Sequence, residues 1–331
     1  MTGSSAQDGE DYRAAQEIAR RFPRRVMHIT YPDNFPAESV TVAAQLTGLA
    51  GEAKLKSMVI GQAIPGSAAA ARAVRALRPD VRIGFVTPRD DPDSVAAACD
   101  LAIGPDEIER GRAIVASAHD MGARSVVYYS FPRHLDEPLL AAQRDMMRSE
   151  CARRGMRFAP VTMPDPIVAD GPAREFVIRD VPRELQRLGP ATAFYATCNE
   201  VQEQLIRALL DAKQGYFVEQ ALPGPSVGYS EALDLESPED AEPDSLNTTL
   251  RQGVAALGMS GHFGTWSASV QEVTMRAMGS LMLDALDQGT NPRDSATVNR
   301  YLEREAGAPV HMRRARPGAN QWLILLDHVT Y

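Results

Sequence analysis

Short apolar runs recur along the chain, and segments with a helical period separate them. The extended candidates are Arg25–Thr30, Ser57–Gln62, Val81–Thr87, Asp100–Gly104, Ser125–Ser130, Arg157–Thr162, Thr192–Thr197, Tyr216–Gln220 and Trp322–Val329. Most are continuous apolar runs rather than strict alternations, as strands covered on both faces require. Between them, Val42, Leu46, Leu49 and Ala53 share one helical face. Ile108, Gly111, Val115 and Ala118 make a second such row, and Val177, Val181, Leu185 and Leu188 a third. These are core stripes. Alternating β and α segments constrain the chain to parallel sheets with right-handed crossovers. The strands are too many for one sheet. The expected fold is therefore α/β, with two Rossmann-like lobes that divide around Gly122–Arg124. A long Pro/Gly/Ser/acid stretch, Leu222 to Asp244, reads as a loop, and Ser267–Gln288 as a long helix.

In open parallel sheets, ligands bind beyond the carboxyl ends of the strands. The residues that follow each strand are therefore the candidate site. HITYPDNF, His28 to Phe35, ends its strand at Pro32, which lacks a donor and fixes φ. It presents Tyr31, Asp33 and Asn34. Gln62 follows the second strand, and Ser130, Arg133 and His134 follow SVVYYS. MPDP supplies Asp165, CNE supplies Asn199, and the PGPSVGYS loop supplies Tyr229. Amides and hydroxyls donate and accept, and Arg grips anions with a fork. Tyr rings stack on rings or cover apolar carbon. Taken one at a time, such residues are also ordinary turn chemistry. Taken together, they read as the lining of a pocket for a small polar ligand.

Several function classes are disfavoured. The formal charge is −8, from 35 basic and 43 acidic residues among 331, which argues against a nucleic-acid partner. Dinucleotide, P-loop and zinc-protease motifs are absent, and GMSGHFG lacks the spacing of a nucleophile elbow. The three Cys are far apart, with no C-x-x-C, and read as buried packing residues. No metal or cofactor is expected. His28 and His119 read as structural. Asp33, Asp165 and Glu200 suit either acid–base work or hydrogen bonds to ligand hydroxyls, and spacing does not choose between them. The first residues, MTGSSAQDGEDYRAAQEIARRF, show no basic segment leading into an apolar one, so no secretory signal is read in them.

The strand-end motifs also carry a resemblance. EDYRAAQEIARRF, VMHITYPDNF, IGQAIPGSAAA, YYSFPRHL, AAQRDMMRSEC, VTMPDP, FVIRDVPREL, TAFYATCNEVQEQLIRALL and LILLDHVTY run in the order of the DUF3798 family. Its members resemble type I periplasmic solute-binding proteins and are often predicted lipoproteins. The resemblance implies two lobes joined by a multi-strand hinge, with a polar solute in an interlobe cleft that Asn199 faces. It implies that Ser267–Gln288 returns the chain to the first lobe. Lobe one is then 1–123 plus 267–300; lobe two with the hinge return is 124–266 plus 301–331. It favours an extracytoplasmic or membrane-anchored monomer that partners an ABC permease. Two departures stand out. MTGSSAQDGEDY aligns with the loop after the family's first strand, so that central strand is expected to be missing or replaced. ALPGPSVGYS stands where the family often carries a Cys. The leading function is solute binding without chemistry, with hinge closure. The alternative is an intracellular enzyme or ligand sensor on the same fold.

Overall fold

A computed structural model describes residues 1–3, 9–33, 38–166, 168, 170–218, 228–235 and 243–331. The chain forms two compact units, Met1–Pro105 with Ser269–Leu326, and Asp106–Ala268 with Asp327–Tyr331. Each is an α/β unit around one parallel-dominated sheet.

In the first unit, β1 (Ser57–Ile60), β2 (Arg82–Val86), β3 (Leu101–Pro105) and β10 (Gln321–Leu325) pair in parallel, and β9 (His311–Arg314) closes the order antiparallel to β10. The strand expected at Arg25–Thr30 is reduced to a single bridge, Thr30 to Thr2. Its neighbour explains why. Met1–Gly3 occupies the place beside β1: the Met1 amino group donates to Val59 O (2.6 Å), and Gly61 N donates to Met1 O (2.8 Å). On the other side, Thr2 N donates to Ile29 O (3.2 Å), and Tyr31 N donates to Thr2 O (2.9 Å). The segment read as a loop thus links Thr30 to the end of β1 by backbone hydrogen bonds on both sides. Burial pushes the Met1 amino group down to about 6, against the nearby Asp11 carboxylate.

Helix α12 (Val270–Asp287) covers this sheet, and Gly84 of β2 makes room for it: a Cβ there would lie 2.6 Å from Met278 Sδ. Side chains start the helices. Asp91 accepts from Ser94 N (3.1 Å) at α4 (Pro92–Ala98), and Ser269 accepts from Glu272 N (3.2 Å) at α12.

The second unit orders its strands β11 (His328–Thr330), β8 (Phe263–Trp266), β7 (Tyr216–Val218), β6 (Thr192–Ala196), β4 (Ser125–Ser130) and β5 (Arg157–Thr162). All pairs are parallel except β11 with β8. Every residue of β4 and β6 is buried. The pleat sends Val127, Tyr129 and Phe194 into one core with Val177, Val181 and Leu185 of α8 (Asp170–Leu188) and Leu205 and Leu209 of α9 (Gln202–Ala212). Tyr128 and Tyr195 stack on the other face (5.4 Å), where the Tyr195 hydroxyl donates to Gln143 of α7 (Pro138–Arg153).

The unit boundaries differ from the sequence reading. Helix α5 (Glu107–Met121) belongs to the second unit because it packs on α7. Residues 301–326 belong to the first because β10 pairs with β3. Strands β8 and β9 were not anticipated, and the Trp322–Val329 run divides between two sheets. No described helix is long and apolar enough to cross a membrane.

The α5–α7 contact and the carboxyl end of α7 each carry a prediction. A Cβ on Gly111 would lie 2.9 Å from the backbone oxygen of Gln143, so Gly111→Val lowers stability by about 2 kcal/mol in urea unfolding. Glu150 on α7 is buried and bonds Arg153 (2.5 Å) and Arg154 (2.6 Å). The Arg153 hydrogen bond foremost holds its carboxyl down at about 2, from 4.5. A depressed carboxyl contributes stability above its unfolded pKa and loses it as pH falls. Glu150→Gln therefore costs on the order of 1–2 kcal/mol near neutrality, discounted for the exposed Arg153. The gap to the parent closes between pH 4.5 and about 2. A gap that persists unchanged at the acid end contradicts the pairing.

Candidate functional site

Parallel strands place their carboxyl ends on one side of each sheet, and both sheets carry polar groups there. In the first unit, the residues just past β1 and β2 are Gln62, with φ +44°, and Thr87, with φ +50°. Left-handed backbone is unfavourable for any side chain and most of all for β-branched Thr. Such conformations cost about 1–3 kcal/mol and concentrate where a site needs them. Backbone bonds hold them: Thr87 N donates to Ile103 O (2.8 Å), and Arg89 N donates to Ala63 O (2.8 Å). Asp90 then accepts from Gly66 N (2.7 Å) and Ala68 N (2.8 Å), fixing the start of α3 (Ser67–Leu77). The Thr87 side chain is buried, and its hydroxyl has no hydrogen-bond partner among the described residues.

The first strand-end motif behaves differently from its reading. Tyr31 is 2% exposed and packs in the core, with its hydroxyl donating to Gly61 O (3.0 Å). Burial pushes that hydroxyl well above its usual range. Tyr31 fastens the segment to the end of β1 and offers no exposed ring. Asp33 is exposed, and Asn34 lies outside the described residues.

In the second unit, three strand ends form one network. Thr197, just past β6, donates from Oγ1 to Ser130 Oγ at the end of β4 (3.1 Å). His134 Nδ1 lies 3.1 Å from the same Thr197 Oγ1. Thr197 Oγ1 thus lies within hydrogen-bond distance of both Ser130 Oγ and His134 Nδ1, and links the two. Burial lowers the His134 pKa, with Glu137 opposing and Arg133 reinforcing. The imidazole packs on Phe131, 4.0 Å between centroids. Arg133 follows on the same short helix, α6 (Pro132–Leu135), and clasps Asp165 beyond β5 with contacts of 2.8, 3.0 and 3.2 Å. Asn199 is exposed in the turn before α9, where its carbonyl accepts from Gln202 N (3.0 Å).

Tyr229 must be corrected. It is fully buried in α10 (Tyr229–Ala232), edge-on to Phe217, Phe263 and Tyr331, and its hydroxyl donates to Gly264 O (3.1 Å). It is a packing residue. The structure thus brings together Ser130 and His134, and pairs Arg133 with Asp165. Thr197, Thr87 and Asp90 were missed, although Thr87 and Thr197 each close a strand just before a break in the apolar pattern.

Among the described residues, no group of His, Cys, Asp and Glu is arranged to hold a metal ion. All three thiols are free and buried, and burial pushes Cys99 and Cys151 up to about 12, so none is a ready nucleophile.

The family model described as "Protein of unknown function (DUF3798)" matches residues 1–264. The chain belongs to the DUF3798 family. It is 33% identical over 167 residues to an uncharacterized protein of Treponema pallidum (strain Nichols), covering 50% of this chain and 77% of that protein. Among solved structures, a proposed transcriptional regulator from Clostridium difficile 630 superposes with a TM-score of 0.91 at 18% identity, covering 100% of this chain and 97% of the other. The substrate-binding protein of a sugar ABC transport system from Bordetella parapertussis 12822 matches with a TM-score of 0.58 at 9% identity, covering 100% and 87%. At these identities the likeness shows the fold, which is that of type I periplasmic binding proteins and related regulators.

Removing the central hydroxyl of the network tests it. Thr197→Val keeps the shape but leaves Ser130 and His134 Nδ1 without that partner. Stability falls by about 1–2 kcal/mol in denaturant unfolding. An unchanged midpoint means that the three groups are not coupled.

Proposed function

We propose that this DUF3798 protein binds a small polar solute at the strand-end surface of its second unit and delivers it to an ABC-type permease, acting as a monomer and without chemistry of its own. The observation that carries this reading is the polar set at the carboxyl ends of β4, β5 and β6, where Ser130, Thr197, His134, Arg133 and Asp165 meet on one edge. These groups are arranged to hydrogen-bond. The likeness to a sugar-transport binding protein supports the same reading.

A second reading is a ligand sensor on the same scaffold, favoured by the high structural likeness to a proposed transcriptional regulator. It shares the binding step and differs in what the bound state touches.

The test is a thermal-shift screen of small polar metabolites, since a ligand bound only by the folded state raises its melting temperature. The expected outcome is at least one hit whose affinity falls several-fold in Arg133→Ala and in Asn199→Ala. A hit that both variants bind as well as the parent moves the site elsewhere. A hit that is turned over, with turnover abolished in His134→Ala, replaces binding by catalysis.

A further inference from the structure

A second cluster of polar atoms in the second unit takes no part in the network above. Trp266 ends β8, and His328 opens β11 directly opposite it in the antiparallel register. Their rings meet edge to face at 4.4 Å. Ser267 follows Trp266, with its backbone held on both sides: its N donates to Asp327 O (2.8 Å), and its carbonyl accepts from Asn247 Nδ2 (3.1 Å). Asn247 is itself fixed by the Tyr331 hydroxyl (2.6 Å).

Four side-chain atoms of this cluster are out of contact with solvent and have no hydrogen-bond partner among the described residues. They are Trp266 Nε1, Ser267 Oγ, and both ring nitrogens of His328. Trp266 is 2% exposed. Leaving such groups unsatisfied costs about 1–3 kcal/mol each, and a native chain seldom keeps several side by side without a use. The Tyr331, Asn247 and Asp327 bonds show that the surrounding backbone is held in place, so the orphaned atoms are not the result of a loose terminus.

The donor inventory indicates what completes them. Indole Nε1 only donates. A neutral imidazole donates from one nitrogen and accepts at the other, and a serine hydroxyl does both. Burial, and secondarily the nearby Arg110 cation, push the His328 imidazole down to about 4, so the ring is neutral near pH 7. An ionised carboxylate satisfies the donors but leaves the imidazole acceptor orphaned. Hydroxyls satisfy both kinds. Charge argues the same way, because Arg110 is already matched by Glu107 (3.2 Å), which Gln143 holds from α7 (3.1 Å).

We propose that Trp266, Ser267 and His328 form a subsite that reads the hydroxyls of an uncharged ligand of the monosaccharide or cyclitol class. The assignment rests on the solute-binding reading and adds the ligand class and three residues to it.

Tryptophan makes the test direct, because the chain has only two. Trp322→Phe keeps an aromatic ring in β10 and leaves Trp266 as the sole indole reporter. This variant and the parent are titrated with D-glucose, D-ribose, L-arabinose and myo-inositol, and with L-leucine, L-glutamate and succinate, following melting temperature and emission. The expected result is that a hydroxylated probe raises the melting temperature and shifts Trp266 emission. Trp266→Phe and Ser267→Ala, each checked by circular dichroism, weaken that probe at least threefold, and His328→Phe about tenfold. Ser267→Ala removes one exchangeable hydroxyl and keeps the inference testable should the aromatic variants fail to fold. A hydroxylated probe that binds with Trp266 emission and Ser267→Ala affinity unchanged overturns the subsite and leaves solute binding standing. Binding confined to the amino acids or succinate overturns the ligand class. Binding of no probe here overturns the subsite and its ligand class, and the solute-binding reading falls with it only if the wider metabolite screen also gives no hit.

Discussion

Parallel pairing of buried strands is the constraint on which this molecule depends. Strands such as β4 and β6 have no exposed residue, so their backbone groups must be satisfied within the sheet. Parallel order then brings the carboxyl ends of the parallel strands in each sheet to one edge. Polar residues that would destabilise a strand interior collect at that edge, where the chain turns into a helix. Ser130, Thr197 and Asp165 lie far apart in sequence and share an edge because β4 pairs with both β5 and β6.

Close packing of helices sets the precision of that edge. Gly84 admits Met278 of α12 to the first sheet, and Gly111 lets α5 and α7 touch at backbone level. The second contact also orients charge. Gln143 reaches from α7 to Glu107, and Glu107 holds Arg110. In this way a buried cation is matched inside the unit, and the polar groups around it face a neutral environment rather than an unpaired charge.

Much of the architecture was legible in the amino-acid order, because apolar period and strand length are local properties. The β–α rhythm, the core stripes of α8 and α9, and the polar character of the strand ends all follow from neighbours in sequence. What failed was also physical. FGTW and HMRR are too short or too charged to read as strands; each forms one by backbone pairing with a distant partner. The Trp322–Val329 run looks continuous, yet its halves join different sheets because β10 finds β3 and β11 finds β8.

HITYPDNF shows the division most clearly. The sequence by itself determined that an extended segment stops at Pro32, since proline lacks the donor that a ladder needs. It also determined that a tyrosine, a carboxylate and an amide surround that stop. Tertiary structure alone decided what Tyr31 does. Met1–Gly3 lies between that segment and β1, and the Tyr31 hydroxyl reaches Gly61 across it. The ring is therefore part of the core and not of a ligand wall. Side-chain identity is local, but burial and hydrogen-bond partners are set by residues that only folding brings near.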